Sequence, residues 1–316
     1  MSTKPLEGLV AIVTGGGRGL GRAMALALAR AGVRVVATAS REAAEIQDVA
    51  NEARRICGES RVVPLLADVT REGDCARSVD AACRHFGRLD VLVNNAGRGM
   101  KYVREDFLTE PTRFWEVAPE TWRMVIDTNV NGPFLMARHA VPIMVKAGWG
   151  RIINVSMNRE TMGRRGFSPY GPSKAALESE TVIWSRDLEG TGVSVNALLP
   201  GGATLTGMIP PAVPDHVRSA LLDPAIVVPP LLWLVSTDSD GTTGRRLVAT
   251  RWPAGQDGRS AAEAALEPAG WLPESGPEAG TRASRDPGRG RGAGAPPEPG
   301  HSAGSVRRVR PRCRRA

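Results

Sequence analysis

A tyrosine and a lysine four residues apart, Tyr170 and Lys174 in "YGPSK", have the clearest capacity for chemistry in this chain. On a helix, positions i and i+4 share a face, so the two side chains can meet one ligand. Pro172 suits a first helical turn, which puts Tyr170 at the helix entrance. A phenol with a pKa of about 10 is a weak acid–base near neutrality, and a neighbouring ammonium favours its ionised form. The pair can therefore move a proton.

A second chemical signal stands at the other end, "TGGGRGLG" from Thr14 to Gly21. Gly15, Gly19 and Gly21 permit a tight turn and close backbone approach, with Arg18 and Leu20 between them. The loop follows an apolar run and opens a helical pattern, so free N–H groups and a positive dipole end face a pyrophosphate. The next apolar run ends "ATASR", without the acidic residue that commonly accepts bonds from an adenosine ribose. Ser40 and Arg41 there, with Arg18, could hold a 2′-phosphate, so NADP(H) is favoured over NAD(H).

These residues need a scaffold, and the pattern supplies one. Short β-branched apolar runs at 9–15, 33–39, 61–68, 89–97, 150–156 and 192–201 alternate with helical patterns at 19–31, 42–57, 72–86, 119–147 and 172–190. A last strand is expected at 244–250. Such alternation predicts an α/β, doubly wound parallel sheet (Rossmann-like) with strands buried on both faces. One domain is expected over 1–252, followed by a disordered tail over 253–316. The last 50 residues hold nine Gly and eight Pro, a composition poor at packing a core.

Much of the formal net charge of +8 falls in that tail, which carries ten Arg and five acids over 267–316. The tail reads as a solvated appendage, a shifted reading frame, or an arm that touches nucleic acid or membrane. No nucleic-acid partner and no membrane are expected: no apolar run is long enough to cross one, and the N-terminus lacks a signal-peptide pattern. Cys57, Cys75, Cys83 and Cys313 form no CxxC pair, and the histidines form no ligand-spaced cluster, so no metal and a cytoplasmic setting are expected.

"TGGGRGLG", "NNAG" (Asn94–Gly97), "TN" (Thr128, Asn129), "YGPSK" and "PGG" (Pro200–Gly202) occur in that order. Together they resemble the short-chain dehydrogenase/reductase family over about residues 6–250. The resemblance implies an NAD(P)(H)-dependent oxidoreductase interconverting a carbonyl and a secondary alcohol. Tyr170 would exchange a proton with the substrate oxygen, Lys174 would tune Tyr170 and hold the nicotinamide ribose, and Asn129 would support a proton-relaying water chain. By the same resemblance Asp68 and Val69 would contact adenine, Asn95 and Gly97 the adenine ribose, and Pro200 and Gly201 the nicotinamide. Thr206, with Thr204 as rival, would reach the carboxamide. A homotetramer or homodimer is implied, using the Tyr170 helix and the last strand.

The family's serine is displaced. It usually lies thirteen residues before the tyrosine, where this chain has Met157; Ser156 is one residue early, and a one-residue shift in a strand reverses the side chain. Ser156 turned inward by a bulge is the expected donor. Asn158 as substitute, or no donor here at all, stay open. A non-catalytic dinucleotide-binding regulator on the same fold is the alternative function. The aromatic-bearing connection from Gly97 to Asn129 is a candidate wall of the substrate pocket. The segment 205–216 occupies the family's substrate-lid region, too proline-stiffened for a large mobile lid, and Arg159, Arg164 and Arg165 could attract an anionic substrate.

Overall fold

The computed structural model describes residues 6–271, apart from 211, 212, 254 and 257. The described residues belong to one compact unit. The strands are β1 (Val10–Val13), β2 (Arg34–Ala39), β3 (Val62–Leu66), β4 (Val91–Asn94), β5 (Gly150–Val155), β6 (Val193–Leu199), β7 (Arg245–Val248) and β8 (Leu266–Pro268). They form one sheet in the order β3-β2-β1-β4-β5-β6-β7-β8. All neighbours are parallel except β7 and β8. Chain direction along the sheet reverses beside β1, and ligand crevices in such sheets open beyond the strand ends at that switch point.

Helices cover both faces because every residue of β1, β4, β5 and β6 is buried. On one face α1 (Gly19–Arg30), α2 (Ala43–Cys57) and α9 (Val228–Val235) pack Met24, Leu28, Ile46, Val49 and Leu231 against the sheet. On the other, α3 (Glu72–Phe86) and α5 (Gly132–Ala147) contribute Cys75, Val79, Met136, Ala140 and Met144. The helix expected over 119–147 is interrupted. It runs as α4 (Pro119–Ile126), widens at Asp127–Asn131 to i→i+5 spacing, and resumes as α5. The short turns α6 (Arg159–Met162) and α8 (Asp215–Arg218) flank α7 (Tyr170–Asp187) in sequence.

The expected domain boundary at 252 needs correction. Beyond it, α10 (Gly258–Ala265) buries Ala261, Ala262 and Ala265, and β8 pairs antiparallel with β7. The Gly, Pro and Arg farther along concealed this short alanine-faced helix, which lies just before the last fifty residues. Residues 272–316, including Cys313, lie outside the described residues. Among the described residues no helix is long and apolar enough to cross a membrane, and no cluster of His, Cys, Asp or Glu could hold a metal ion.

Candidate active site

The first crossover builds one end of the site. Gly15 has a positive φ of 63°, and a Cβ on Gly21 would lie 2.0 Å from the Gly15 carbonyl oxygen. Only glycine lets α1 start this close to β1. No side chain caps the N-terminus of α1, so its free N–H groups remain for an anion. Asn95 fixes the loop: its Nδ2 donates to the carbonyls of Thr14 (2.8 Å) and Gly15 (3.0 Å), and its backbone N–H donates to Thr14 Oγ1.

A cavity of about 760 Å³ runs from this loop to Tyr170. Gly15, Arg18, Gly19, Leu20, Gly21, Ser40, Arg41, Asp68, Val69, Asn95, Gly97, Ser156, Tyr170, Lys174, Pro200, Gly201 and Thr206 all line it. Asn129 stands behind the wall. Its size, its uncapped helix end and its glycine cradle fit a dinucleotide. At the ribose end Arg18 pairs with Glu45 at 3.3 Å, while Ser40 and Arg41 are exposed. Thr206 lies against Gly19, whereas Thr204 is buried with its hydroxyl on the Gly202 carbonyl at 3.1 Å. Both threonines reach the cavity wall.

At the other end, the start of α7 presses onto α6. A Cβ on Gly171 would lie 2.1 Å from the Met162 carbonyl oxygen. Lys174 is buried and donates from Nζ to the Val155 carbonyl at 2.7 Å. Burial lowers its pKa to about 8, with Glu178 one turn on opposing the drop. Burial pushes the Tyr170 phenol up to about 12. The lysine therefore does not depress the phenol here: Nζ stands 6.0 Å from the ring centroid and bonds to the backbone instead. The phenol keeps its proton at neutral pH, and its oxygen lies 4.0 Å from Met208 Sδ.

Asn129 sits in the widened turn, completely buried. Its Nδ2 donates to the Arg98 carbonyl (3.0 Å) and Ser173 Oγ (2.9 Å), and its Oδ1 accepts from the Arg98 N–H (2.8 Å). Ser173 in turn donates to the Tyr170 carbonyl at 2.7 Å. Asn129 thus ties the β4 loop to the start of α7.

Ser156 departs from expectation. Its hydroxyl donates to Glu178 Oε1 at 2.5 Å rather than to Tyr170, because β5 continues its alternation to the residue's Cα and the acid waits on α7. Asn158 Nδ2 donates to the Gly201 carbonyl at 2.9 Å. Sequence reading passes over Glu178, Arg246 and Met208. Two signals were available: Glu178 extends the Tyr170–Lys174 spacing by four, and Arg246 interrupts an apolar strand.

Of the substrate-side candidates, Arg98, Met100, Lys101, Tyr102, Phe107 and Leu108 line the cavity, as do Met208 and Ile209. Phe107 packs edge-on against Phe167, over which Arg164 lies. Phe114, Trp115 and Trp122 face solvent instead. Arg159 turns away to the Pro268 carbonyl and Glu267, and Arg165 is not part of the wall.

The family model described as short chain dehydrogenase matches residues 9–216. A 3-oxoacyl-[acyl-carrier-protein] reductase FabG of Thermotoga maritima is 31% identical over 250 residues, covering 76% of this chain and 95% of that protein. A short-chain type dehydrogenase/reductase of Picea abies is 36% identical over 201 residues, covering 62% and 71%. A solved dehydrogenase/reductase from Sinorhizobium meliloti superposes with a TM-score of 0.68 at 30% identity, covering 78% of this chain and 95% of that one.

Proposed function

The chain belongs to the short-chain dehydrogenase/reductase family and is an NAD(P)(H)-dependent oxidoreductase interconverting a carbonyl and an alcohol; from that premise we propose that Tyr170 is its acid–base and NADP(H) its preferred cofactor. The observation that carries this reading is one cavity that joins the glycine loop of α1 to the buried Tyr170–Lys174 pair. When bound, the dinucleotide supplies or accepts the hydride.

The chain's residues do the remainder. Gly15, Arg18, Gly19, Leu20 and Gly21 hold the phosphates, with Ser40 and Arg41 at the ribose end. Asp68, Val69, Asn95 and Gly97 border the adenosine, and Pro200, Gly201 and Thr206 the nicotinamide. In the reducing direction the carbonyl carbon gains a hydride while its oxygen takes the Tyr170 proton, leaving an alcohol and a phenolate. The phenolate regains its proton from solvent, and the Lys174 ammonium beside it holds the nicotinamide ribose. Asn129 keeps the start of α7 in place through Ser173.

The substrate is a ketone with an apolar body and an anionic end. Met157, Met208, Phe107 and Phe167 offer the apolar wall, and Arg98, Lys101 and Arg164 the cations. Relatives named as 3-oxoacyl reductases fit this class. The expected last strand, β7, lies between β6 and β8 and is not a free edge, so copies of the chain assemble as a dimer or tetramer through α7 and α5, where Ile183 and Phe134 are exposed apolar residues. Light scattering checks that assembly. Oxidation of NADPH across a panel of ketones tests the activity: turnover is expected with wild type and lost in Tyr170→Phe. Undiminished turnover in that variant removes Tyr170 from the mechanism.

A further inference from the structure

The segment between β5 and α6 is held from beneath by buried charge. Glu178 is fully buried; its Oε1 accepts the Ser156 hydroxyl, and its Oε2 accepts the Gly270 N–H at 3.2 Å. Arg246 on β7 is only 1% exposed and lies 3.6 Å from Glu178 and 3.3 Å from Glu267. Its Nη2 donates to the Met157 carbonyl at 2.7 Å. Two successive residues of the segment are therefore fastened, one by its side chain and one by its backbone. Desolvated charge-assisted bonds of this kind hold geometry tightly.

That fastening decides which residue can donate. A serine hydroxyl has one proton, and the Ser156 proton points to Glu178. Met157 has no strong donor. Asn158 has two amide protons, and one is bound by the Gly201 carbonyl. The other has no acceptor among the described residues, and Asn158 lines the cavity with Tyr170. Thr161, on α6, is the other wall residue of this region whose hydroxyl is uncommitted among the described residues.

We propose that the second amide proton of Asn158 is the hydrogen bond donated to the substrate oxygen beside Tyr170, taking the place of the serine hydroxyl that Glu178 withdraws. This rests on the reading of Tyr170 as acid–base. The oxygen gains negative charge as hydride arrives, so a fixed donor acts most strongly in the transition state. Gly201 supports the role, since its carbonyl orients the amide that Asn158 presents.

The test compares Asn158→Ala, Asn158→Asp, Ser156→Ala, Thr161→Val and Tyr170→Phe in the full chain. Turnover is followed with the best ketone of the panel, and NADPH binding by tryptophan fluorescence. Asn158→Ala is expected to lower kcat on the order of 10²-fold, as loss of a preorganised oxyanion donor does. NADPH Kd stays at the wild-type value, and Asn158→Asp, which lacks the amide protons, is equally impaired. Ser156→Ala and Thr161→Val lose less than Asn158→Ala. A larger loss in Ser156→Ala or in Thr161→Val overturns the assignment. Inactive Tyr170→Phe beside a fully active Asn158→Ala defeats this proposal alone; active Tyr170→Phe defeats the reading beneath it.

Discussion

Tyr170 and Lys174 share one turn of helix, yet burial drives them in opposite directions: the phenol rises to about 12 and the ammonium falls to about 8. On the proposed role of Tyr170 as acid–base, the reactive form in carbonyl reduction is a protonated phenol beside a charged lysine. Ketone turnover at saturating substrate is therefore expected to decline as pH rises through about 8, where Lys174 loses its proton, while the phenol remains protonated. A pH–rate profile level to pH 10 contradicts this assignment. At the ribose end the charges are balanced differently. Arg18 is paired with Glu45, so on the proposed NADP reading Arg41 is the cation for a 2′-phosphate. Arg41→Ala should weaken NADP binding by about 1.5–3 kcal/mol, the range for a hydrogen bond to a charged group, and leave NAD binding nearly intact. Titration calorimetry with both dinucleotides decides it, and a wild-type preference for NAD removes the premise.

Among the elements, α7 carries both the reactive pair and a liability. Glu180 has a buried oxygen without a partner among the described residues, and burial raises its pKa to about 7. Because the folded value exceeds the unfolded one, stability is full below the ordinary carboxylate range and declines as pH climbs through about 7. Glu180→Gln should raise Tm more at pH 8 than at pH 4; an equal shift at both pH values excludes this cause. The entrance of α7 is equally constrained. Gly171→Ala places a methyl on the Met162 carbonyl and should cost about 1–3 kcal/mol in urea unfolding. Helix spacing made the Tyr170–Lys174 pair readable from sequence, and the glycine loop was readable because its strand and helix flank it. The direction of Ser156 was not. It depends on Glu178 and Arg246, which reach the segment from α7 and β7, and no local pattern encodes that meeting.

For the molecule as a whole, the unforeseen α10 and β8 complete the buried charge system. Glu267 and the Pro268 carbonyl answer Arg246 and Arg159, and the Gly270 N–H answers Glu178. A chain ended at residue 252 leaves two arginines and a buried carboxylate short of partners, which is strongly destabilising. Such a chain is expected to lose cooperative thermal unfolding, whereas one ended at residue 274 should retain it. Composition misplaced this boundary because Gly, Pro and Arg beyond it dominate the average, while eleven residues of helix and strand carry little weight.

The two outer strands have a further effect on how copies of the chain can meet. β3, at one edge, contains Pro64, which has no N–H to offer a neighbour. β8, at the other, is three residues long and ends in Pro268. Neither edge presents a long row of unpaired donors and acceptors, so strand addition from another molecule finds no template on either side. The proposed association between copies is thereby left to helical surfaces, and the same blunted edges guard a strand-rich core against runaway aggregation.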